Sequence, residues 1–325
     1  MLYAPVVIGT LSRFEHFKRC IKSLEDNSWA KFTEIYISVD YPPENKYIEG
    51  NNAIIEFLKK HKMNFYKTNI IYQNENLGAT ENYEFLVALA FEHYDRVIVL
   101  EDDIEVSPNF LEYMDKALEF GSEKEEVFCV STGTRWLKIP EKMNGTAYMV
   151  QNGESGYGIY RDKRKKMMEE VTEQWLEALI HDSRKMIKIF KNNKSFFYLF
   201  INNYVINQDR NLYFRKDGTV RTIDIVNQIY TIVNNMCGIL PTVVKCRNWG
   251  LDGSGQNAGR REDIEPDKLT MDNDRGFDFI LETDKRINKL IRKRRCGHFD
   301  SSFGSKWNVW KALLYYFYLR IAHKI

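Results

Sequence analysis

Val97-Ile98-Val99-Leu100-Glu101-Asp102-Asp103-Ile104 is the stretch whose reading decides the fold. Four apolar residues in a row, three of them β-branched, predict a strand buried on both faces. The run then stops on three acids. Adjacent carboxylates repel one another, so clustering them at a strand end is costly unless a cation or hydrogen-bond donors offset the charge. A hard divalent ion, Mn²⁺ or Mg²⁺, is the simplest partner, held through one or two carboxylates with diphosphate oxygens in other positions. The competing reading is a solvated acidic turn, which the positive end of a following helix would favour. Ser107 and Pro108 have the chemistry of an N-cap and a first helical position, and Phe110, Leu111, Met114 and Leu118 give the next helix an apolar stripe. The acids are therefore expected in a short loop at the carboxyl end of a central strand, where open α/β sheets bind ligands.

Upstream, the chain alternates. Pro5 to Thr10 reads as a first strand, and Phe14, Phe17, Ile21 and Leu24 mark one face of a helix. Glu34 to Asp40 is a second strand that again finishes on an acid. A helix from Ala53 to His61, a strand at Asn69 to Tyr72, a turn at Asn74 to Gly78 and a helix from Thr80 to about Tyr94 follow. Alternation of this kind predicts a doubly wound sheet. Downstream, Val127 to Ser131 is a further strand. A glycine-rich stretch runs from Asn144 to Tyr160, a charged helical stretch from Arg161 to about Asn193, and Thr219 to Asp224 is a strand-like run leading into a helical pattern. Asn248 to Gly255 is a tight glycine loop.

With 47 Lys and Arg against 45 Asp and Glu, the net charge of +2 gives no footprint for nucleic acid, so any phosphate site must be local. The five cysteines are scattered and have no zinc spacing, which predicts free thiols and a reducing, cytoplasmic setting. The chain opens on a strand rather than a secretory leader, and no apolar run reaches the roughly 18 residues of a membrane span.

The acidic strand end and the order of motifs around it resemble the GT-A glycosyltransferases. The likeness is to bacterial family-two-like members and to N-acetylglucosaminyltransferases that carry a Glu-Asp-Asp form of the Asp-x-Asp motif. It rests on Leu100 to Ile104, on Asn109-Phe110-Leu111 five residues beyond, and on Pro5 to Arg13, Ile37 to Asp40 and Asn74 to Gly78. It implies a Rossmann-like α/β sheet over residues 1–260, with a donor half at 1–135 and an acceptor half at 136–260. A helical C-terminal extension would occupy 261–325. It also implies an inverting transfer from a nucleotide-diphosphate sugar, with UDP as the expected nucleotide. The acceptor would be a glycan or a lipid-linked molecule in surface polysaccharide synthesis. On individual positions, Thr10 and Arg13 would lie against the nucleotide and Asp40 would accept from base or ribose. Glu101 and Asp102 would reach the ribose and sugar hydroxyls, Asp103 would ligate the metal, and Asn74 and Gly78 would floor the donor pocket. A basic residue that relatives often carry near the position of Glu81 is absent, and Tyr157 and Tyr160 stand where many relatives have tryptophans beside the sugar.

An inverting transfer also needs a carboxylate to take the proton of the attacking hydroxyl. Asp224 is the first choice, because it follows a β-like run and sits among apolar residues able to raise its pKa. The resemblance supports this through an Asp-x-x-x-x-x-Tyr setting, here Asp224 to Tyr230, ahead of the glycine loop. The alternative is that Asp224 only caps a helix. Asp252 is the reserve, and Asp182 and Glu154 are further carboxylates in reach of consideration.

Two other functions stay open. A sugar-nucleotide pyrophosphorylase would want a glycine-rich basic loop after the first strand, and Gly9 to Arg13 has one glycine. A non-catalytic scaffold or carbohydrate-binding protein could keep the sheet without turnover. The tail, with aromatics from Trp307 onward interleaved with Lys311, Arg320 and Lys324, reads either as an interfacial helix lying on an anionic membrane or as a helix docked on the protein with a solvated basic face.

Overall fold

A computed structural model of the chain describes residues 3–133, 146–150, 157–241, 243–255, 278–280 and 306–322. The chain divides into two compact units, one of residues 1–161 with 238–282 and one of residues 162–237 with 283–325. The boundary expected at residue 260 lies outside the described residues.

In the first unit, β1 (Val6–Thr10), α1 (Phe14–Glu25), β2 (Glu34–Val39), α2 (Ile48–Lys60), β3 (Lys67–Tyr72), α3 (Ala79–Phe91) and β4 (Arg96–Glu101) alternate along the chain. The two-residue turn Asp102-Asp103 leads to β5 (Ile104–Val106), α4 (Phe110–Ser122), β6 (Val127–Ser131), β7 (Thr146–Val150) and β8 (Tyr157–Tyr160). Later segments supply β9 (Cys237–Leu240), β10 (Cys246–Asn248) and β11 (Asp278–Ile280). Among the described residues the main sheet runs β11-β7-β9-β6-β8-β4-β1-β2-β3, and β10 pairs with β5 in a small second sheet.

The parallel part of the sheet explains where a ligand can go. β1 pairs in parallel with β2 on one side and with β4 on the other, and β3 continues beyond β2. The connections therefore leave β1 in opposite directions, which puts the switch point where such sheets bind ligands at the carboxyl ends of β1 and β4. Val6, Val7 and Ile8 of β1 and Val97 to Leu100 of β4 are buried, as their composition predicts for strands covered on both faces. This α/β sheet flanked by helices, with a C-terminal helix, is the architecture of the GT-A fold.

The second unit is helical. It contains α5 (Arg161–Glu170), α6 (Glu173–His181), α7 (Ser183–Asn192), α8 (Lys194–Phe200) running into a π-helical turn at Ile201–Ile206, α9 (Arg210–Tyr213), α10 (Asp224–Val233) and α11 (Lys306–Ile321). The charged helical stretch expected from Arg161 to about Asn193 is made of three helices. Thr172 accepts a hydrogen bond from the Trp175 amide, and Asp182 accepts from the amides of Arg184 and Lys185, so each caps a new helix. Asp182 is thereby a capping residue. The strand-like run before Asp224 is reduced to a single bridge between Phe214 and Val220.

Helix α4 also starts later than the sequence suggests. Its cap is Asn109, not Ser107, and the Ser107 hydroxyl donates to Asn109 Oδ1 at 2.8 Å. The intervening turn is anchored from the far end of the unit, where the Ser107 amide donates to the Lys245 carbonyl.

Candidate active site at the ends of β1 and β4

Glu101 is the last residue of β4, exposed, while Asp102 and Asp103 turn inward and are 5% and 7% exposed. Two groups from β1 and its following loop meet them. The Thr10 hydroxyl donates to Asp102 Oδ2 at 2.8 Å, and the Arg13 guanidinium bridges both acids, donating to Asp102 Oδ1 and, at 2.8 Å, to Asp103 Oδ2. Burial alone would lower the Arg13 pKa, but the charges of Asp102 and Asp103 and its bonds to them outweigh that, holding it above its ordinary value. Burial raises the Asp102 carboxyl, with Arg13 opposing and Asp103 adding to the rise. Beneath the acids, the Tyr83 hydroxyl lies 3.0 Å from the Leu100 carbonyl and 3.3 Å from that of Gly9, tying the two strand ends together.

The two acids differ in one respect. Both oxygens of Asp102 are engaged, whereas Asp103 Oδ1 is buried and has no hydrogen-bond partner. An unpaired carboxylate oxygen out of water is costly, and it is what a hard cation would satisfy. Among the described residues no group of three or more His, Cys, Asp or Glu side chains is arranged to hold a metal ion. Mg²⁺ and Mn²⁺ at nucleotide sites need only one or two carboxylates, with phosphate oxygens in other positions, and the unpaired Asp103 Oδ1 is one such oxygen. The residues present therefore fit the ion.

The glycine loop comes to this corner, which sequence reasoning missed. Strand β10 pairs antiparallel with β5, bringing Asn248 opposite Ile104 and delivering the loop onto the acids. The Trp249 amide donates to the Asp103 carbonyl at 2.9 Å. A Cβ on Gly250 would stand 1.9 Å from Asp103 Oδ2, so any other residue there would displace the Asp103 carboxylate. Helix α1 and β5 hold the loop: the Arg19 guanidinium of α1 lies 4.0 Å from the centre of the Trp249 ring, and Trp249 Nε1 donates to Glu105 of β5. His16 Nε2 lies 3.2 Å from both the Trp249 carbonyl and Asp252 Oδ2. Asp252 is half exposed. Burial pushes its carboxyl up, but hydrogen bonds from Ser254 and the nearby His16 and Arg13 outweigh this and hold it below its ordinary value. The signals available were His16 three residues after Arg13, on one helix face, and the Gly-rich run itself. Neither pointed to the acids, because β5 and β10 are three residues each and far apart in sequence.

Asp40 is placed differently from its expected role. Its Oδ1 accepts from the amides of Tyr41 and Leu77, and its Oδ2 from the Gly78 amide and the Asn76 side chain. Both lone pairs of each oxygen are spent within the chain. Asp40 therefore shapes the 74–78 loop instead of reaching for a base or ribose. Gly78 enters α3 at φ +77°, a conformation that favours glycine. Tyr160 is buried, near 3% exposed, with its hydroxyl donating to the Leu118 carbonyl, so it is a packing residue and not a sugar platform. Tyr157 is partly exposed in β8. Ser155, Gly156 and Glu154 lie outside the described residues.

Asp224 belongs to the second unit. It opens α10 and is exposed, with the apolar residues Ile225 and Val226 that follow it turned into that unit's core.

A model of the GNT-I family matches residues 4–162, just under half of the chain. No curated protein matches. Among solved structures, the chain is similar to S. aureus TarS 1-349, at 11% identity over 75% of this chain and 59% of that one, with a TM-score of 0.38. It is also similar to the mannosyltransferase PcManGT from Pyrobaculum calidifontis in complex with GDP-Man and Mn²⁺, at 11% identity over 51% of this chain and 46% of that one, with a TM-score of 0.36. The chain thus spans about half the length of the structures it resembles.

Proposed function

We propose, starting from a GT-A fold whose first half is related to the GNT-I family, that the chain is an inverting, metal-dependent glycosyltransferase. It moves a sugar from a nucleotide-diphosphate donor, with UDP preferred, to a glycan or lipid-linked acceptor of surface polysaccharide synthesis. The observation that carries this reading is Asp103 Oδ1, a buried carboxylate oxygen without a partner just past the carboxyl end of β4, beside β1. Asp103 would hold Mn²⁺ or Mg²⁺. When bound, that ion neutralises charge on the departing nucleoside diphosphate.

The chain's own residues supply the rest. Thr10 and Arg13 fix the orientation of Asp102 at the nucleotide side, leaving exposed Glu101 to meet ribose or sugar hydroxyls. Asp40, through its bonds to residues 76–78, sets the shape of the loop in which Asn74 and Gly78 floor the donor pocket. For the proton of the attacking hydroxyl, Asp252 now leads. It lies in the same unit as the acids, on the loop that seals Asp103, and its half-exposed carboxylate is open to an incoming hydroxyl. Asp224 is the second candidate.

The test is release of free nucleoside diphosphate from a panel of nucleotide sugars, with Mn²⁺ or Mg²⁺ and with chelator. Metal-dependent release from one donor is expected, and binding of donor without metal dependence or turnover would favour the scaffold reading instead. Asp252→Asn should lower transfer by roughly 10²–10⁴-fold with donor affinity kept, and Asp224→Asn should leave it nearly unchanged. The reverse result would return the role to Asp224.

A further inference from the structure

Helix α11 is packed on one side and bare on the other. Val309, Ala312, Tyr316 and Leu319 recur at helical spacing and are buried in the second unit, with the Tyr316 hydroxyl donating to the Ile180 carbonyl at 2.9 Å. The opposite face carries Trp307, Leu314, Tyr318 and Ile321, which are 63%, 64%, 55% and 79% exposed. A docked helix normally presents a polar face to water. This one presents aromatic and aliphatic side chains, with Lys311 among them, its ammonium 5.4 Å from the centre of the Trp307 ring. Beside it, Lys194 lies 5.4 Å from the ring centre of half-exposed Trp310.

Charge is divided as sharply as hydrophobicity. The unit that bears α11 has 24 Lys and Arg against 11 Asp and Glu in its sequence, a balance of +13. The other unit has 23 against 34, a balance of −11. The near-neutral total therefore hides a strongly basic part, and the exposed apolar stripe belongs to that part.

We infer that the outer face of α11 seats on the surface of an anionic lipid bilayer, with the helix lying in the interface plane. Aromatic side chains with interleaved cations suit the headgroup boundary, where rings and aliphatic tips enter the acyl edge and ammonium groups meet lipid phosphates. No helix among the described residues is long and apolar enough to cross a membrane, so attachment by this face is at the surface. A second copy of the chain is the less suitable occupant, because face-to-face pairing would bring two strongly basic units together. The inference goes beyond the transferase reading and stands without it.

Co-sedimentation of the full chain with vesicles tests it. Binding is expected to phosphatidylcholine vesicles containing about 30% phosphatidylglycerol, at least roughly tenfold tighter than to phosphatidylcholine alone, and to weaken by about as much at ~0.5 M salt. Brominated lipid should quench tryptophan fluorescence. The double substitution Leu314→Asn with Ile321→Asn, at two exposed positions, should reduce vesicle binding by about tenfold or more with an unchanged circular dichroism spectrum. Lys311→Glu, which leaves the apolar stripe whole, should weaken binding to anionic vesicles alone. Absence of binding to anionic vesicles, or equal binding by the double variant, overturns the inference. So does concentration-dependent self-association that the double variant abolishes while vesicles capture nothing.

Discussion

Aspartates follow the carboxyl ends of both β2 and β4, and they could hardly be more different. At β2, Asp40 accepts four hydrogen bonds and is complete without any ligand. At β4, Asp102 is complete but Asp103 keeps one buried oxygen unpaired. The same signature, an acid after a β-branched run, thus serves as a loop clamp in one place and leaves one buried oxygen unpaired in the other. What separates them is not the acid but the supply of donors around it. The 74–78 loop offers amides to Asp40. The Trp249-Gly250 segment offers Asp103 only an amide to its main-chain carbonyl and an absent side chain beside its carboxylate.

The sharpest way to break this contrast is Asp103→Asn. Loss of about two orders of magnitude in Mn²⁺ affinity, close to 3 kcal/mol, is expected by calorimetry in the presence of nucleoside diphosphate, with stability retained. Retained metal affinity would mean that the unpaired oxygen is not the ligand.

A third carboxylate extends the comparison. Asp115 in α4 accepts one bond, from the Ala4 amide, and its other oxygen is buried without a partner, as in Asp103, but it faces the core. Burial pushes its carboxyl up to about 7, against the opposing pull of the Ala4 amide and Arg96. The folded state then holds a proton that the unfolded chain releases near pH 4. Stability therefore falls as pH rises from about 4 to 7, and the cost, on the order of 4 kcal/mol, is fully present above 7. Asp115→Asn should flatten the urea midpoint across that window and exceed the natural protein at pH 8. A pH profile identical to that of the natural protein would refute the assignment.

The smallest effect is expected at the satisfied acid. Asp40→Ala strands several donors that partly reach water, which should cost about 2 kcal/mol of stability and weaken donor binding through the loop. A variant as stable as its parent would show that the 74–78 loop holds its shape unaided.

Much of the first unit was legible because its physics is local. β-branched runs, helical stripes and acids at strand ends are written in consecutive residues, so β1 to β4 and the position of the acids at the end of β4 followed. The capping of α4 was misplaced by two residues, since its turn is set by Lys245, a partner no neighbouring residue announces. Asp40 was misjudged for a related reason: an acid's type is visible in sequence, but how many of its lone pairs are filled is not. The role of Trp249 and Gly250 was invisible because it depends on two three-residue strands meeting across the whole unit.

That meeting also fixes when the pocket can exist. The main chain of Asp103 is held by Trp249, and the strand beyond it by Cys246 to Asn248, segments that leave the ribosome only after more than a hundred further residues have been made. Contacts so distant in sequence form late. An emerging chain can pair its first four strands long before its acids are sealed, so this corner closes only once residues 246–250 have been made.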